Sequence, residues 1–416
     1  MTRPVLVTGA TGFIGREIVR RLLACGRPVL ALARGRDGVP APERVIAAVG
    51  GLPGAASLEV VEGDLEAPDC GLGADQWRTL RATVETVIHC AGDTTFSPEA
   101  LAPYTAGHID GPLRLLHGLA GGRLRRWAHL STAYVCGRRS GTVLEREGDV
   151  GQDFHNTYER VKLDSETVMR AAALPLGLDI RVFRPSIVVG EAPATSGGNP
   201  SNLFFSFIRM VAALAEHPNR GETRLRIEAA PHAPFNFVPI GYVAAAVIAL
   251  AECPDAAGET FHLVVRDAPT QAEMVVMITE RLGVHGLSFV DPLTAALLDP
   301  SPIERAVARM LEAYRPYLTQ HVRFDDSTTA RLLDRCVVPR ATLSPDAVHR
   351  LIDLALVTRR RSVRRAALHD ELGRVAEGRR ELQAVLDERA PTNLADWTLK
   401  DSRQARALLD AITGTW

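Results

Sequence analysis

The sequence predicts an α/β fold, a doubly wound parallel sheet joined to a smaller, mainly helical substrate and C-terminal region. Three observations carry that expectation. A short apolar strand near the N-terminus runs through three evenly spaced glycines into an amphipathic helix. Further apolar strands then alternate with helical stretches up to about residue 190. Beyond about Pro269 the periodicity becomes mainly helical.

Val5, Leu6 and Val7 form the first strand, and Gly9, Gly12 and Gly15 follow in the spacing Gly-x-x-Gly-x-x-Gly. Glycine permits a tight turn and lets backbone approach a pyrophosphate closely. The helix expected from about Phe13 to Ala24 places Ile14, Ile18, Leu22 and Leu23 on one face. Its N-terminus offers free N–H groups and a positive dipole end to a phosphate. A glycine-rich turn alone says little; between a strand and a helix it predicts a Rossmann-type dinucleotide site formed by Gly9, Thr11, Gly12, Phe13 and Ile14.

Composition narrows the alternatives. The 416 residues carry 48 basic and 49 acidic side chains, a formal charge of −1, so nothing global points to nucleic acid or to an anionic membrane. The six cysteines, Cys25, Cys70, Cys90, Cys136, Cys253 and Cys336, lack Cys-x-x-Cys spacing, which argues against a disulfide framework or a metal site. The longest apolar run, Val243 to Ala251, falls short of the ~18–20 residues a membrane helix needs. A strand starting almost at Met1 leaves no room for a secretory signal, so a reduced, cytoplasmic setting is expected. The expected organisation is a dinucleotide-binding domain over 1–190, completed by about 235–265, a substrate-binding region over 191–234 and 266–350, and a helical extension over 351–416.

Along the chain, a second strand from Arg27 ends at Arg34, with Arg36 close behind. At that place in a dinucleotide fold an arginine suits a 2′-phosphate where an acid suits a free hydroxyl, so NADPH is the expected cofactor. Strands at Ser57 to Glu62 and Thr86 to His89 lead into Gly63-Asp64-Leu65 and the small-residue turn Cys90-Ala91-Gly92, where bulk would obstruct a cofactor. A helix is expected from about Pro103 to Ala120, then strands at Arg126 to Leu130 and Ile180 to Arg184, the latter closing with Pro185-Ser186-Ile187. Residues 191–202 read as a loop, and Leu203, Phe204, Phe205, Phe207 and Ile208 as an apolar helix, either core or the lining of an acyl pocket. Ser301-Pro302 and Ser344-Pro345 each mark a helix start. A charged helix over 359–389 carries Leu368, Leu372, Val375, Leu382 and Leu386 on one stripe, and its cluster Arg359, Arg360, Arg361, Arg364 and Arg365 is either a solvated face or a dock for an acidic carrier.

The chemistry concentrates at Tyr158-Glu159-Arg160-Val161-Lys162, which sets a phenol and an ammonium one helical turn apart. That geometry lets Lys162 lower the phenol pKa while its donors reach a ribose. Only Lys162 and Lys400 are lysines, against 46 arginines.

Thr-Gly-Ala-Thr-Gly-Phe-Ile-Gly, with the ordered motifs that follow as far as Ala251, resembles the extended short-chain dehydrogenases/reductases. The branch it resembles most is that of thioester reductases and fatty acyl-CoA reductases, the male-sterility-like group, through Phe96 after His89-Cys90-Ala91, Ser131-Thr132-Ala133-Tyr134, and Asn156-Thr157-Tyr158. Tyr314 to Asp325 loosely resembles the C-terminal region of fatty acyl reductases. The resemblance implies that Thr132, Tyr158 and Lys162 are catalytic, with Thr132 bonding the substrate carbonyl and Ser131 as its fallback. It further implies that Asp64 and Leu65 lie against the adenine, and that Cys90, Ala91, Gly92, Pro185, Ser186 and Ile187 border the cofactor.

Two departures stand out. His108 occupies the place where many relatives carry an Asn that helps hold a proton-relay water, and Gly241 replaces an Asp, implying a weaker helix cap. Ala133 and Tyr134 replace the Asp-Glu of sugar-nucleotide dehydratases, which argues against dehydration. The expected function is NADPH-dependent reduction of an acyl thioester, bound to coenzyme A or a carrier protein, to aldehyde or alcohol. The alternatives are a ketone or hydroxysteroid-type dehydrogenase, a sugar-nucleotide epimerase, and a non-catalytic NADP-binding scaffold. An acyl carrier protein and a second copy of the chain, as a homodimer, are the partners this reading allows.

The rarity of lysine yields a test. At a solvated position Lys162→Arg should be silent, within ~0.5 kcal/mol of stability. Between Tyr158 and a ribose, a planar guanidinium cannot serve both partners, so turnover and NADPH affinity should fall together in steady-state kinetics and cofactor titration.

Overall fold

Apolar β-branched runs buried on both faces make a parallel sheet. In the computed structural model, which describes residues 3–50, 57–94, 101–190, 203–215 and 225–360, the strands are Val5–Thr8 (β1), Val29–Ala33 (β2), Leu58–Glu62 (β3), Thr86–His89 (β4), Arg126–Leu130 (β5), Gly141–Val143 (β6), Asp179–Pro185 (β7), Ile187–Val189 (β8), Leu225–Glu228 (β9), Phe237–Pro239 (β10), Thr260–Leu263 (β11), Leu287–Val290 (β12) and Val322–Phe324 (β13). Seven form one sheet in the order β11-β7-β5-β4-β1-β2-β3, every pairing parallel. β1 and β4 are buried throughout, whereas β3 at one edge exposes Glu59 and Glu62. The expected doubly wound sheet is therefore present, and its order reverses between β1 and β4. Ligands of such sheets sit at the carboxyl ends of the strands beside that reversal.

The first helix, Phe13–Ala24, buries Ile18, Val19, Leu22 and Leu23, while Ile14 is only half-buried. Helix Ile240–Glu252 packs against it. Gly241 is the second residue of this helix, not its cap: the N-cap, Pro239, makes no side-chain bond, and a Cβ on Gly241 would lie 2.9 Å from Arg21 Nη2.

One helix was expected over 103–120; three stretches are found. Leu101–Thr105 is α-helical, Ala106–Asp110 is a π-turn, and Gly111–Leu119 is α-helical again. Pro112 explains the break: it has no N–H to donate to the carbonyl of His108, four residues earlier, and its ring crowds that carbonyl.

The chain divides into two compact units. The first comprises Met1–Gly198, Asn236–Asp267 and Val322–Thr342. Segment Val322–Thr342, which the sequence pattern groups with the substrate region, belongs here because β13 pairs in parallel with β6, and because Glu145 accepts bonds from Thr328 N at 2.6 Å and Thr329 N at 3.1 Å at the start of helix Ser327–Arg335. The second unit comprises Asn199–Phe235, Ala268–His321 and Leu343–Trp416. Its described helices include the apolar Leu203–Ala215, Gln271–Leu282, Pro302–Met310 and Pro345–Arg360, and β9 pairs with β12. Ser301 starts its helix as expected, in a capping box with Glu304, and Ser344 Oγ accepts from Ala347 N at 3.3 Å. Phe96, the 191–202 loop and the 361–416 portion of the charged C-terminal helix lie outside the described residues.

The glycine turn is tested by volume. A Cβ on Gly15 would stand 2.2 Å from Gly9 O, whereas one on Gly148 meets nothing within 4 Å. Gly15→Ala should lower stability by about 1–3 kcal/mol in denaturant unfolding. The control, Gly148→Ala, should stay within ~0.5 kcal/mol.

Candidate active site

The residues singled out from sequence converge on the carboxyl edge of the large sheet. Gly9 ends β1 with φ +69°, and a Cβ there would lie 2.6 Å from Ala91 N and 2.7 Å from the Cys90 carbonyl carbon. The turns after β1 and β4 therefore touch backbone to backbone. Gly12 N donates to Gly9 O at 2.8 Å, and Gly12 is exposed at the start of the first helix with Thr11, Phe13 and Ile14 half-buried around it. A side chain at Gly9 would strike the Cys90-Ala91 backbone and one at Gly15 the Gly9 carbonyl, so only glycine allows this tight turn, and a turn of this kind into a helix N-terminus suits a pyrophosphate.

Arg34 lies just past β2, half-exposed, 3.3 Å from Asp64 Oδ2 and 3.9 Å from Glu66. Arg34 and Asp64, with Arg36, Pro40, Glu62 and Gly63, line an open cavity of about 680 Å³. Leu65 turns its carbonyl to Arg114 Nη1 and packs on the core, so its backbone is fixed from the far side.

Asn156 caps helix Thr157–Ala173 by accepting from Glu159 N at 3.0 Å, which sets Tyr158 in the first turn. Lys162 is buried one turn on, and its Nζ donates to Leu130 O at the end of β5. Burial lowers the Lys162 pKa to about 8, with the Glu166 carboxylate and then Cys90 opposing the fall. The Tyr158 phenol departs from the expectation. Burial first, then Tyr104, Glu159 and Asp93, push its pKa up, and Lys162 is not among the causes. The ammonium donates instead to the β5 carbonyl.

Thr132 and Ser131 separate by their bonds. Ser131 Oγ donates to Glu166 Oε1, and Glu166 is gripped by Arg184 Nε at 3.0 Å and Nη2 at 2.6 Å. Thr132 Oγ1 accepts from Tyr134 N at 3.3 Å as the cap of turn Ala133–Cys136. With that lone pair engaged, its O–H is left to donate outward. At the end of β7, Ser186 Oγ donates to Asn236 Oδ1 at 2.7 Å, tying Pro185-Ser186-Ile187 to the strand that follows.

Gly92 has a different reason from the one expected. A Cβ there would come within 2.3 Å of His108 Cε1 and 2.6 Å of Nδ1, so the space is taken by an imidazole. His108 is one of four buried histidines among the described residues, with His89, His129 and His262. His89 stacks on Trp127 and His129 at 5.5 and 5.4 Å between centroids, and His129 Nε2 meets Ser165 Oγ at 3.1 Å. Sequence reasoning missed His89, His129, Ser165, Glu166 and Arg184 as parts of this site; the one available signal was Glu166, a single turn beyond Lys162 on the same helix face.

Comparison with known proteins is consistent with this arrangement. The family profile described as male sterility protein matches residues 7–247. Peramine synthetase A of Epichloe festucae is 35% identical over 200 residues, 45% of this chain and 7% of that protein. A carboxylic acid reductase of Segniliparus rugosus is 24% identical over 274 residues, 60% of this chain and 23% of that protein. The chain thus spans less than a quarter of either relative. The terminal R domain of the myxalamid PKS-NRPS biosynthetic pathway shares the fold, with a TM-score of 0.69 and 20% identity over 87% of this chain and 92% of that one.

Lys162 gives a pH test with a definite sign. Its folded pKa, about 8, lies below the ordinary lysine value of 10.5, so between those values the unfolded chain binds more protons. Stability should therefore rise with pH across that window. Melting temperatures measured from pH 7 to 11 should show this rise, and Lys162→Met should flatten it.

Proposed function

The chain belongs to the male sterility protein family, a branch of the extended short-chain dehydrogenases/reductases, and we propose that it reduces an acyl thioester with NADPH. The observation that supports this reading is the placement of Thr132, two residues past the Leu130 carbonyl that holds the buried Lys162 of the Tyr158 helix, with its Oγ1 accepting from Tyr134 N and its own proton still available to donate. Bound NADPH supplies the hydride to the thioester carbonyl carbon. Thr132 donates a hydrogen bond to the carbonyl oxygen, and Tyr158 gives it a proton as charge develops. Lys162, held by Leu130 O, would have its remaining donors to offer the nicotinamide ribose.

The cofactor assignment is supported by donor chemistry. Arg34 and Arg36 line the cavity at the end of β2, and a 2′-phosphate there would compete with Asp64 for the Arg34 guanidinium. The backbone cradle of Gly9, Gly12 and Gly15 would take the pyrophosphate. The acyl group would arrive on a carrier protein or on coenzyme A, and the product is an aldehyde with the thiol released. Ser131 is left a positioning role, because its hydroxyl is committed to Glu166.

The experiment follows NADPH and NADH oxidation against acyl-CoAs, acyl carrier proteins, ketones and UDP-sugars. Thioesters with NADPH should be consumed and the others left. Tyr158→Phe should lose ~10²–10⁴-fold in turnover, with NADPH binding unchanged by fluorescence titration. Activity confined to ketones or UDP-sugars, or a fully active Tyr158→Phe, would overturn the proposal.

A further inference from the structure

Helix Ile240–Glu252 and helix Ser327–Arg335 pack against each other, and each is followed by a cysteine at its C-cap, Cys253 and Cys336. Both belong to the first compact unit, in segments that the chain joins through Ala268–His321. Cys253 N donates to Ala249 O at 3.0 Å, and its carbonyl accepts from Arg181 Nη1 at 2.7 Å and from Ala256 N at 3.2 Å. Cys336 N donates to Leu332 O at 3.1 Å, and Val337 N and Val338 N bond back to Asp334 O and Leu333 O at 3.3 and 3.0 Å. That last turn holds Val337 at φ +56°, a conformation glycine usually takes and a β-branched residue adopts only under constraint. The backbone on either side of the pair is therefore fixed.

Between the two caps the thiols meet. The side chains of Cys253 and Cys336 hydrogen-bond to each other, and their neighbours Asp255 and Arg335 form an ion pair at 2.6 Å. Both cysteines are free and half-buried, so small molecules can reach them. Burial first, then Cys253 and Asp255, raise the Cys336 pKa above the ordinary thiol value, so this thiol rests protonated at neutral pH. A structural metal takes four ligands, and among the described residues not even three His, Cys, Asp or Glu gather into such a group. Sequence spacing conceals the pair, because its members lie far apart in the chain.

We propose that Cys253 and Cys336 are a modification site, a dithiol that low-molecular-weight disulfides such as oxidised glutathione convert reversibly to an intramolecular disulfide. One thiol gives its proton to solvent, and its sulfur attacks a sulfur of the external disulfide. A mixed disulfide forms, the external S–S bond breaks, and one external thiol leaves. The second cysteine, losing its proton in turn, attacks the mixed disulfide, closes the Cys253–Cys336 bond and releases the other external thiol. The protein loses two electrons and two protons, and the external disulfide gains both. Fixed thiols already in contact make the second step intramolecular, so the mixed disulfide does not persist. The bond closes residues 254–335 into one loop and ties segment Val322–Thr342 to segment Asn236–Asp267. A loop of that length strongly restricts the unfolded chain.

The test uses the full chain, reduced, freed of reductant and incubated with oxidised glutathione. Remaining thiols are trapped by alkylation, the linkages are mapped by peptide mass spectrometry, and the same samples are melted. The map should show a linked Cys253–Cys336 peptide pair, and the oxidised protein should melt ~5 °C or more above the reduced one. Dithiothreitol should reverse both. Cys253→Ser and Cys336→Ser should each keep glutathione on the remaining cysteine and lose the melting shift. Cys25→Ser, which removes an exposed thiol, should behave as the parent. A parent that stays reduced at both positions, carries glutathione on both without a bridge, links either one to Cys25, or bridges with no rise in melting overturns the proposal. The mapping is made on the parent, so a serine variant that fails to fold leaves the test standing.

Discussion

A buried ammonium governs the architecture around the site. Removing a charge from water costs several kcal/mol, and the folded state tolerates it only where hydrogen bonds replace the lost solvent. Lys162 has the Leu130 carbonyl, and Glu166, one turn along, supplies an opposing charge that is itself held by Ser131 and Arg184. Helix Thr157–Ala173 is thus fastened to the ends of β5 and β7 by polar groups that have few other ways to be satisfied. The same charge shapes its neighbours. His89, His108 and His129 are kept neutral by burial and then by Lys162, so aromatic rings fill the space a second cation would make unstable.

Much of this was legible in the sequence where the constraint is local. Gly9 and Gly15 announced a backbone close approach, and the distances a Cβ would meet bear that out. Tyr158 and Lys162 share a face because four residues make about one helical turn. The strands at Thr86 to His89 and Arg126 to Leu130 were readable to the residue because their apolar runs are short and sharply bounded.

What escaped was whatever depends on residues distant in the chain. Gly92 looked like clearance for a cofactor, and its distant neighbour, the ring of His108, which a Cβ there would strike, was not foreseen. The direction of the Tyr158 pKa was misread because Tyr104 and Asp93, which approach it from another element, are invisible to a pattern that sees only the lysine one turn away. The placement of Val322–Thr342 in the first unit follows from a carboxylate at position 145.

That carboxylate orders the assembly of the chain in time. Glu145 accepts from His262 N at 3.1 Å as well as from Thr328 and Thr329, so one buried side chain in the first segment holds the second and third segments of its unit. Asn236 adds another fastening, accepting from Ser186 Oγ and Val265 N and donating to Val265 O. Residues up to 198 alone therefore leave the β7 edge unpaired until β11 is added, and leave Glu145 without the donors that His262, Thr328 and Thr329 supply. Long-range pairing of this kind folds late and leaves strand edges open to misassembly in the interval. Dissection of this protein into domains would accordingly have to follow spatial units: any cut between 198 and 329 severs the first compact unit itself.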